Sequence, residues 1–398
     1  MRKFKKTVSA VCFAATWSLC ALSPAAAQQA DDDPFAPLGL RAGSFLFLPE
    51  IEVFAGYNDN AAGVAGGASS SFTAIEGQVT AQSDWSSHSL TMVLRGGYTT
   101  FSDVSNEDDG DFDAEALLVL DILRETQLAV GVGYEFETED EIDDRVYSAE
   151  VELSHRFNRL TASVRGAIDD FDYGNRGAVS LGSVVEDEVA DYRETEFALR
   201  LAYEVSPRLS VYGEVSSNRR DFDRPIDANG FLRGSDGYAI STGATVEISD
   251  KLRGSVSIGY QVQTPDDAVF ADIEDFIYAA DLTWFVTQLT NIVLVVSSNI
   301  GETVLAGSSG EVGRDITIEV NHALRRNVEL TASLEYGRDE FIAAGPVETD
   351  TTATFGVTYL LNRNVAITGS YSHYEFESTD PGVDYDANIF LLGLRLQR

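Results

Sequence analysis

The sequence predicts an all-β protein, a transmembrane up-and-down antiparallel β-barrel of about 18 strands. Three observations predict this fold. Apolar and polar residues alternate with a period of two along most of the chain. Short polar turns alternate with longer acidic connections, and the apolar face of many segments ends in an aromatic residue. The last two features are typical of barrels that cross an outer membrane.

The alternation of apolar and polar residues is clear in residues 147–154. Tyr147 and Val151 fall on one face of an extended chain, whereas Glu150 and Glu152 fall on the other. An α-helix would distribute the same apolar residues around its whole surface, so a helical interpretation fails. These segments are therefore predicted to be strands with one apolar and one polar face.

The connections between these segments are themselves periodic. Eight short polar turns and nine longer, acidic, Gly-rich connections would join 18 strands. An even number is expected of a single-chain bacterial barrel, with short turns in the periplasm and long loops outside. Because boundaries read from sequence shift by about two to four residues, 16 to 20 strands are compatible with the pattern. The short turns lie near residues 84–88, 123–126, 156–159, 206–208, 249–251, 287–289, 324–327 and 361–364, and the longer connections near 58–70, 102–110, 139–143, 173–190, 223–234, 265–273, 304–312, 341–349 and 378–382.

Aromatic residues at the ends of the apolar faces suit the interfacial girdles of a membrane barrel. A soluble β-propeller is the alternative, but its strands would have about five or six residues, whereas these segments have about 10 to 14. The pattern therefore favours the membrane barrel. The predicted girdle residues are Tyr57, Tyr98, Tyr134, Phe136, Tyr203, Tyr260, Tyr336, Tyr359 and Tyr371.

The chain divides into three predicted parts. Residues 1–27 begin with four basic residues, continue with an apolar run and end in three alanines, which predicts a secretory signal peptide. Both cysteines, Cys12 and Cys20, lie in it, so disulfides and thiolate metal sites are excluded from the exported chain. Residues 28–44 contain two prolines and are predicted to be a periplasmic N-terminal segment without helix or strand. Residues 45–398 are predicted to form the barrel.

The charge of the exported chain limits its partners. The whole sequence has 28 Lys and Arg against 64 Asp and Glu, and without the four basic residues of 1–27 the balance is 24 against 64, or −40. So acidic a chain is a poor partner for nucleic acid, which requires a basic surface. We expect outer-membrane lipids and the barrel-assembly machinery as partners, and the sequence leaves open whether the barrel is a homo-oligomer.

Two sequence motifs resemble those of a known family. The run PFAPLGLRAGSFLFLPEIEVFAGYNDNAAG occupies residues 34–63, and SDWSSHSL at 83–90 is followed by LRGGY at 94–98. Together they resemble the second family of outer-membrane β-barrel porins. The resemblance implies an outer-membrane barrel over the whole exported chain. Because the motifs mark strand entries and turns, it implies the fold more directly than the activity.

Charged residues recur on the face opposite the girdle residues, where acids outnumber arginines. An Arg or Lys facing lipid costs about 2–4 kcal/mol at the midplane, so these side chains should point into the barrel. Barrels of about 16–18 strands enclose an aqueous channel, so a water-filled pore is expected. We further expect the arginines to pair with acids across the lumen. The alternative to a pore is that the inward acids merely keep the lumen hydrated or form fixed salt-bridge ladders. The candidate pore-lining residues are Arg95, Arg165, Arg200, Arg253, Glu76, Glu115, Glu150, Glu152, Glu196, Glu247, Asp281, Glu319, Glu329 and Glu335.

No motif in the sequence predicts an active site, a metal site or a cofactor. The histidines, His88, His155, His322 and His373, include no pair at metal-ligand spacing. Barrel hydrolases use a His–Ser dyad, but the sequence offers no specific support for one. The acidic runs 106–113 and 137–144 are interpreted as solvated loops, with calcium binding as the alternative.

The function that these observations favour is passive diffusion of small hydrophilic solutes across the outer membrane, with a preference for cations. One alternative is an export conduit for an envelope or extracellular polysaccharide, although only Tyr212 and Phe285 are predicted to offer aromatic surfaces in the lumen. Another is a structural or adhesive barrel with a closed lumen. The longest loop, 173–190, could fold inward and narrow the opening or lie outside.

Overall fold

The computed structural model describes residues 34–104, 107–139, 142–173, 191–226, 230–248, 251–303, 308–343 and 345–398. Nearly all of these residues lie in antiparallel strands or in the turns between them. The described part of the chain contains no helix that is long and apolar enough to cross a membrane. The strands are β1 (Leu40–Ala42), β2 (Phe45–Asn58), β3 (Ser70–Ser83), β4 (His88–Phe101), β5 (Asp109–Leu123), β6 (Thr126–Glu139), β7 (Ile142–Phe157), β8 (Leu160–Tyr173), β9 (Tyr192–Ser206), β10 (Leu209–Phe222), β11 (Ser235–Ile248), β12 (Leu252–Pro265), β13 (Ile273–Thr287), β14 (Thr290–Gly301), β15 (Glu311–Arg325), β16 (Val328–Phe341), β17 (Val347–Asn362), β18 (Val365–Ser378) and β19 (Tyr385–Gln397).

Strands β2 to β19 close into a barrel. Each strand pairs antiparallel with the next along the chain, and β19 returns to pair with β2. The barrel therefore has 18 strands, which confirms the predicted up-and-down architecture and strand number. Short turns gather at one end and longer connections at the other, termed here the short-turn end and the long-loop end; the second is the end expected to face outside.

Most strands contain 14–16 residues, at or just above the upper end of the predicted range. A strand rises about 3.3 Å per residue, and a tilted strand needs only about 9–11 residues to cross the hydrocarbon layer. The additional residues are sufficient to extend each strand beyond the hydrocarbon layer of the membrane, where charged side chains meet water.

Large apolar side chains cover the outside of the barrel instead of filling a central core. Leu201, Ile240 and Leu392 are about 60% exposed, which suits contact with lipid chains. The girdle tyrosines Tyr57 and Tyr98 lie on the same outer surface. Since each of β2–β19 pairs with a strand on both sides, most backbone polar groups of the barrel are satisfied within the closed sheet, as a membrane requires.

The strand β1 corrects the expectation for residues 28–44, which predicted neither helix nor strand. Leu40–Ala42 pair with Phe45–Phe47 of β2, beyond the point at which β19 ends. The connecting Gly43 has φ +61°, a left-handed conformation that glycine adopts at low cost and that closes a tight hairpin. The prolines lie before this hairpin, so they do not remove any of its hydrogen bonds. β1 therefore covers an edge of β2 that would otherwise be unpaired.

Candidate channel interior

The structure places all the candidate pore-lining residues on the inner face of the barrel. Each alternates along its strand with outward residues, as Arg200 does with Leu199 and Leu201, which are 44% and 58% exposed. Arg200 and Glu214 are direct partners across β9 and β10 and share the inner face. Because side chains alternate strictly between the two faces of a strand, the sequence pattern is sufficient to place them. Their role in lining a pore stays a prediction.

Inward residues of β7–β10 form a network of ion pairs, termed here the paired wall. Arg165 on β8 lies 3.2 Å from Glu150 on β7 and 2.5 Å from Glu196 on β9. Arg200 on β9 lies 2.6 Å from Glu214 on β10. The paired wall consists of these five side chains, which together carry two positive and three negative charges.

The arginines of the paired wall bond to carboxylates on neighbouring strands, whereas the sequence led us to expect pairs across the lumen. Side chains on one face of adjacent strands stand about 4.5–5.5 Å apart at Cβ, within reach of an Arg and a Glu. An 18-stranded barrel is wide enough to hold an aqueous channel, so opposite walls are farther apart. Arg165 and Arg200 therefore compensate two of the three carboxylates of the paired wall.

The inner face of β15–β17 has a different balance, and we term it the carboxylate wall. Glu319, Glu329 and Glu335 lie on it. No lysine or arginine occupies the inward positions between residues 315 and 323, 329 and 339, or 350 and 360 of these strands, all of which the structure describes. Towards the long-loop end of β15, Arg314 pairs with Asp275 of β13 at 2.5 Å. Asn321 donates a hydrogen bond of 2.5 Å to Glu319 and accepts one of 3.2 Å from Thr331, so this surface is solvated by neutral polar groups.

The other inward arginines have individual partners. Arg395 on β19 lies 2.9 Å from Glu52 and 3.2 Å from Glu50 of β2, so it bridges the two carboxylates at the seam where the barrel closes. Arg95 lies 3.9 Å from Glu115, and the guanidinium of Arg253 lies 5.1 Å from the centre of the Phe285 ring. Glu52 was missing from the candidate list although it is on the same alternating pattern. The spacing of Glu50 and Glu52, two residues apart at the start of β2, would have placed Glu52 on the inner face.

The tip of the β14–β15 hairpin, residues 298–303 and 308–312, lies inside the long-loop end of the barrel. Pairing of β13 with β14 stops at Ala279 and Ser297, whereas β14 and β15 stay paired up to Gly301 and Glu311. Ile300 and Val312 occupy outward positions of their strands, yet they pack against Ile273, an inward residue of β13. The outer face of the tip therefore covers the inner face of its neighbours.

The sequence left open whether loop 173–190 folds inward or lies outside, and residues 174–190 of this loop lie outside the described residues. The sequence had not singled out the β14–β15 connection. The acidic runs 106–113 and 137–144 were interpreted as loops, but residues 109–113 belong to β5, 137–139 to β6 and 142–144 to β7; residues 106, 140 and 141 lie outside the described residues. Within the part of the chain that the structure describes, no group of three His, Asp or Glu residues could hold a metal ion.

Inward aromatic side chains stack at the long-loop end of β8–β10. Phe171 and Tyr192 are nearly parallel, with centroids 4.5 Å apart, and Tyr192 and Phe222 follow at 5.1 Å. The guanidinium of Arg233 lies 5.8 Å from the centre of the Phe222 ring. Beside the stack, burial raises the pKa of the Asp191 carboxyl, although the backbone N–H of Tyr173 donates a hydrogen bond to it. Sequence analysis missed this stack because its members lie on three strands.

The histidines are engaged in local contacts. The Nδ1 atoms of His155 and His322 lie 2.7 and 2.9 Å from the hydroxyls of Thr126 and Thr290, respectively. Both pairs occupy equivalent places beside short turns, on the outer face of the barrel. The hydroxyl beside each of these two histidines therefore belongs to a threonine of the neighbouring strand.

Comparison with known proteins gives one family match and several solved structures of low similarity. The profile of the family described as "Putative beta-barrel porin 2" matches residues 33–398. No curated protein matches the chain. Among solved structures, Pseudomonas aeruginosa OccK2 (OpdF) is similar with a TM-score of 0.47 and 10% identity, covering 89% of this chain and 98% of that one. The copper transporter OprC gives 0.49 and 9%, with 90% and 82% covered, and Acinetobacter baumannii OccAB4 gives 0.43 and 12%, with 88% and 98% covered.

The family match extends over almost the entire described chain, including β1 and the whole barrel. It agrees with the resemblance found in the strand-entry motifs and with the 18 closed strands. This chain therefore belongs to the family Putative beta-barrel porin 2, whose members are outer-membrane β-barrels.

Proposed function

We propose that the barrel is a channel for passive diffusion of small hydrophilic solutes across the outer membrane, with a preference for cations. The carboxylate wall carries this proposal, because Glu319, Glu329 and Glu335 face the lumen without a basic residue at the described inward positions beside them. A cleft lined by one sign of charge between low-dielectric walls raises the local concentration of ions of the opposite sign. An 18-stranded barrel has room for the water that such ions require.

The paired wall supports the same proposal in a different way. Arg165 and Arg200 each have a carboxylate within 2.6 Å, so their positive charge is largely compensated for an ion in the lumen. The acidic excess elsewhere then determines the sign of the potential. Selectivity in this mechanism arises from rings and walls of fixed charge, and it needs no cofactor or conformational step.

An export conduit for polysaccharide is less well supported by the inward aromatic residues. Sugars stack on free ring faces, but Phe171, Tyr192 and Phe222 cover one another's faces. Arg200 lies over the ring of Tyr212 at 4.4 Å, so this predicted luminal surface is also occupied. The described aromatic residues therefore do not offer a continuous track of open faces.

The test is electrical. The purified barrel is reconstituted in planar lipid bilayers, and single-channel currents are recorded under a potassium chloride gradient. We expect discrete steps and a reversal potential that favours potassium. The double variant Glu329→Lys with Glu335→Lys should shift the reversal potential towards chloride, because it places two positive charges on the carboxylate wall.

Glu377→Lys is the matched control, since Glu377 is an exposed residue at an outward position of β18. It changes the net charge of the protein in the same direction outside the lumen, so the reversal potential should stay near that of the native chain. Absence of current from a barrel shown to be folded by its gel mobility would refute passive diffusion. A current without cation preference would refute only the role of the carboxylate wall.

A further inference from the structure

The β14–β15 tip is held in the barrel by an arginine that the proposed channel mechanism does not use. Arg220 occupies an inward position near the end of β10 and is only 6% exposed. Its guanidinium lies 2.9 Å from Glu194 of β9 and 2.8 Å from Glu302 of the tip. It also donates a 2.8 Å hydrogen bond to the backbone oxygen of Ile300. Arg220 thus links the wall of the barrel to both the strand end and the loop of the tip.

Further contacts join the same tip to two more strands. Ser235 of β11 donates a 3.1 Å hydrogen bond to Glu302 and accepts one of 2.9 Å from Gln263 of β12. Arg233 donates to the backbone oxygen of Thr303. Ser235 and Gln263 are 3% and 1% exposed, so the tip covers them almost completely. The tip therefore spans the inner face from β10 to β13.

The geometry points to a specificity role for Arg220: we propose that it positions the β14–β15 tip across part of the long-loop end and so sets the largest solute that can pass. The inference rests on the proposed diffusion function. A buried guanidinium is stable only with its carboxylates, and Glu194 and Glu302 are stable together only because Arg220 lies between them. Removing Arg220 leaves the carboxylates of Glu194 and Glu302, which are only 19% and 11% exposed, without their shared cation. We expect their repulsion to drive the tip away from the wall.

The chain offers a closely matched control at the next position. Arg219 is also paired, at 2.8 Å to Asp236 and 2.7 Å to Asp266, but it points to the outside of β10. Arg219→Met removes the same type of side chain and a similar number of ion pairs without releasing the tip. A difference between Arg220→Met and Arg219→Met therefore reports on the tip and not on the loss of an arginine from β10.

The experiment compares three proteins, the native chain, Arg220→Met and Arg219→Met, purified from outer membranes. Single-channel conductance and the uptake of poly(ethylene glycol)s of increasing size into proteoliposomes are measured. We expect Arg220→Met to conduct at least about twofold more current and to admit larger polymers, because a wider opening carries more ions. Arg219→Met should match the native chain in both measurements.

A second measurement follows the tip without relying on transport. Both native cysteines precede residue 28, so Ser235→Cys introduces the only thiol of residues 28–398. A membrane-impermeant maleimide should label it slowly in the native background and about tenfold faster with Arg220→Met, because covered positions react through local opening. Equal labelling rates would show that Arg220 does not hold the tip.

The outcomes separate this inference from the proposed function. Equal conductance and equal size limits for the native chain and Arg220→Met would overturn the role of Arg220 but leave passive diffusion standing. A silent native barrel with a conducting Arg220→Met variant would overturn open diffusion and support the tip as the barrier. Silence from both folded proteins would overturn both proposals.

Discussion

Two walls of the same barrel use glutamates in opposite ways. On the paired wall, Arg165 and Arg200 lie within 2.6 Å of carboxylates from neighbouring strands. On the carboxylate wall, Glu319, Glu329 and Glu335 have no inward basic neighbour on β15–β17 among the described residues. Alternation along a strand decides which face a glutamate occupies, but the strands on either side decide whether its charge is compensated. We expect the first wall to stabilise the barrel and the second to contribute uncompensated negative charge to the lumen.

The largest expected difference between the walls is in their tolerance of charge reversal. Arg165→Glu would place a third carboxylate beside Glu150 and Glu196, and loss of a partly buried ion pair of this kind costs about 3 kcal/mol or more. Glu329→Arg would instead reduce repulsion on the carboxylate wall and change stability by about 1 kcal/mol or less. Urea unfolding in lipid vesicles, followed by tryptophan fluorescence, measures both free energies.

The control for charge reversal is Arg165→Lys, which keeps the positive charge but loses the planar two-sided contact. It should destabilise the barrel less than Arg165→Glu. If Glu329→Arg is as damaging as Arg165→Glu, then Glu329 has an essential partner, and the distinction between the two walls is wrong.

A smaller effect is expected when charges are removed without reversal. Replacing a whole pair, Arg200→Gln with Glu214→Gln, leaves the net charge of the lumen unchanged, so ion selectivity should stay close to that of the native channel. Removing two carboxylates, Glu329→Gln with Glu335→Gln, should reduce the preference for potassium. The reversal potential at low salt separates the two cases.

Ionic strength sharpens this comparison. Charges are screened over about 10 Å at 0.1 M salt but over only about 3 Å at 1 M. The effect of Glu329→Gln with Glu335→Gln should therefore be large at 0.1 M and nearly absent at 1 M. An effect that persists at 1 M would indicate a direct ion-binding site at these residues instead of a long-range field.

The strand number and the facing of side chains were predictable because both depend on local information. A period of two along residues 147–154 places Glu150 inside regardless of its distant contacts, and the turns that punctuate the pattern count the strands. The pairing of Arg165 with Glu150 and Glu196 was not predictable in the same way. It depends on the registers of β7–β9, and a shift of two residues would keep the faces but change the partners.

The β14–β15 tip could not be predicted from its own sequence. Its inward position follows from the point at which β13 and β14 separate, and from contacts with Arg220, Ser235 and Ile273 on other strands. The sequence indicates the inward position of Arg220 only weakly, because Arg219 stands beside it and only the alternation assigns one arginine inward and the other outward.

β1 was missed for a different reason. The prolines before it argued against a strand, whereas Gly43 makes a tight hairpin possible.

The smallest expected effect concerns an ion pair outside the lumen. Arg41 of β1 and Asp84 lie 2.7 Å apart, almost the distance between Arg200 and Glu214, but both side chains are 66% exposed. Water and salt screen such a pair, so Arg41→Ala should lower the free energy of unfolding by about 0.5 kcal/mol or less. Arg200→Ala should cost about 2 kcal/mol, because it leaves the 13% exposed Glu214 carboxylate without its cation. Equal losses of stability in urea unfolding would mean that Arg41 holds β1 on β2 and that closure of the barrel depends on this contact. In that case, the exposure of an ion pair would not by itself predict its contribution to stability in this barrel.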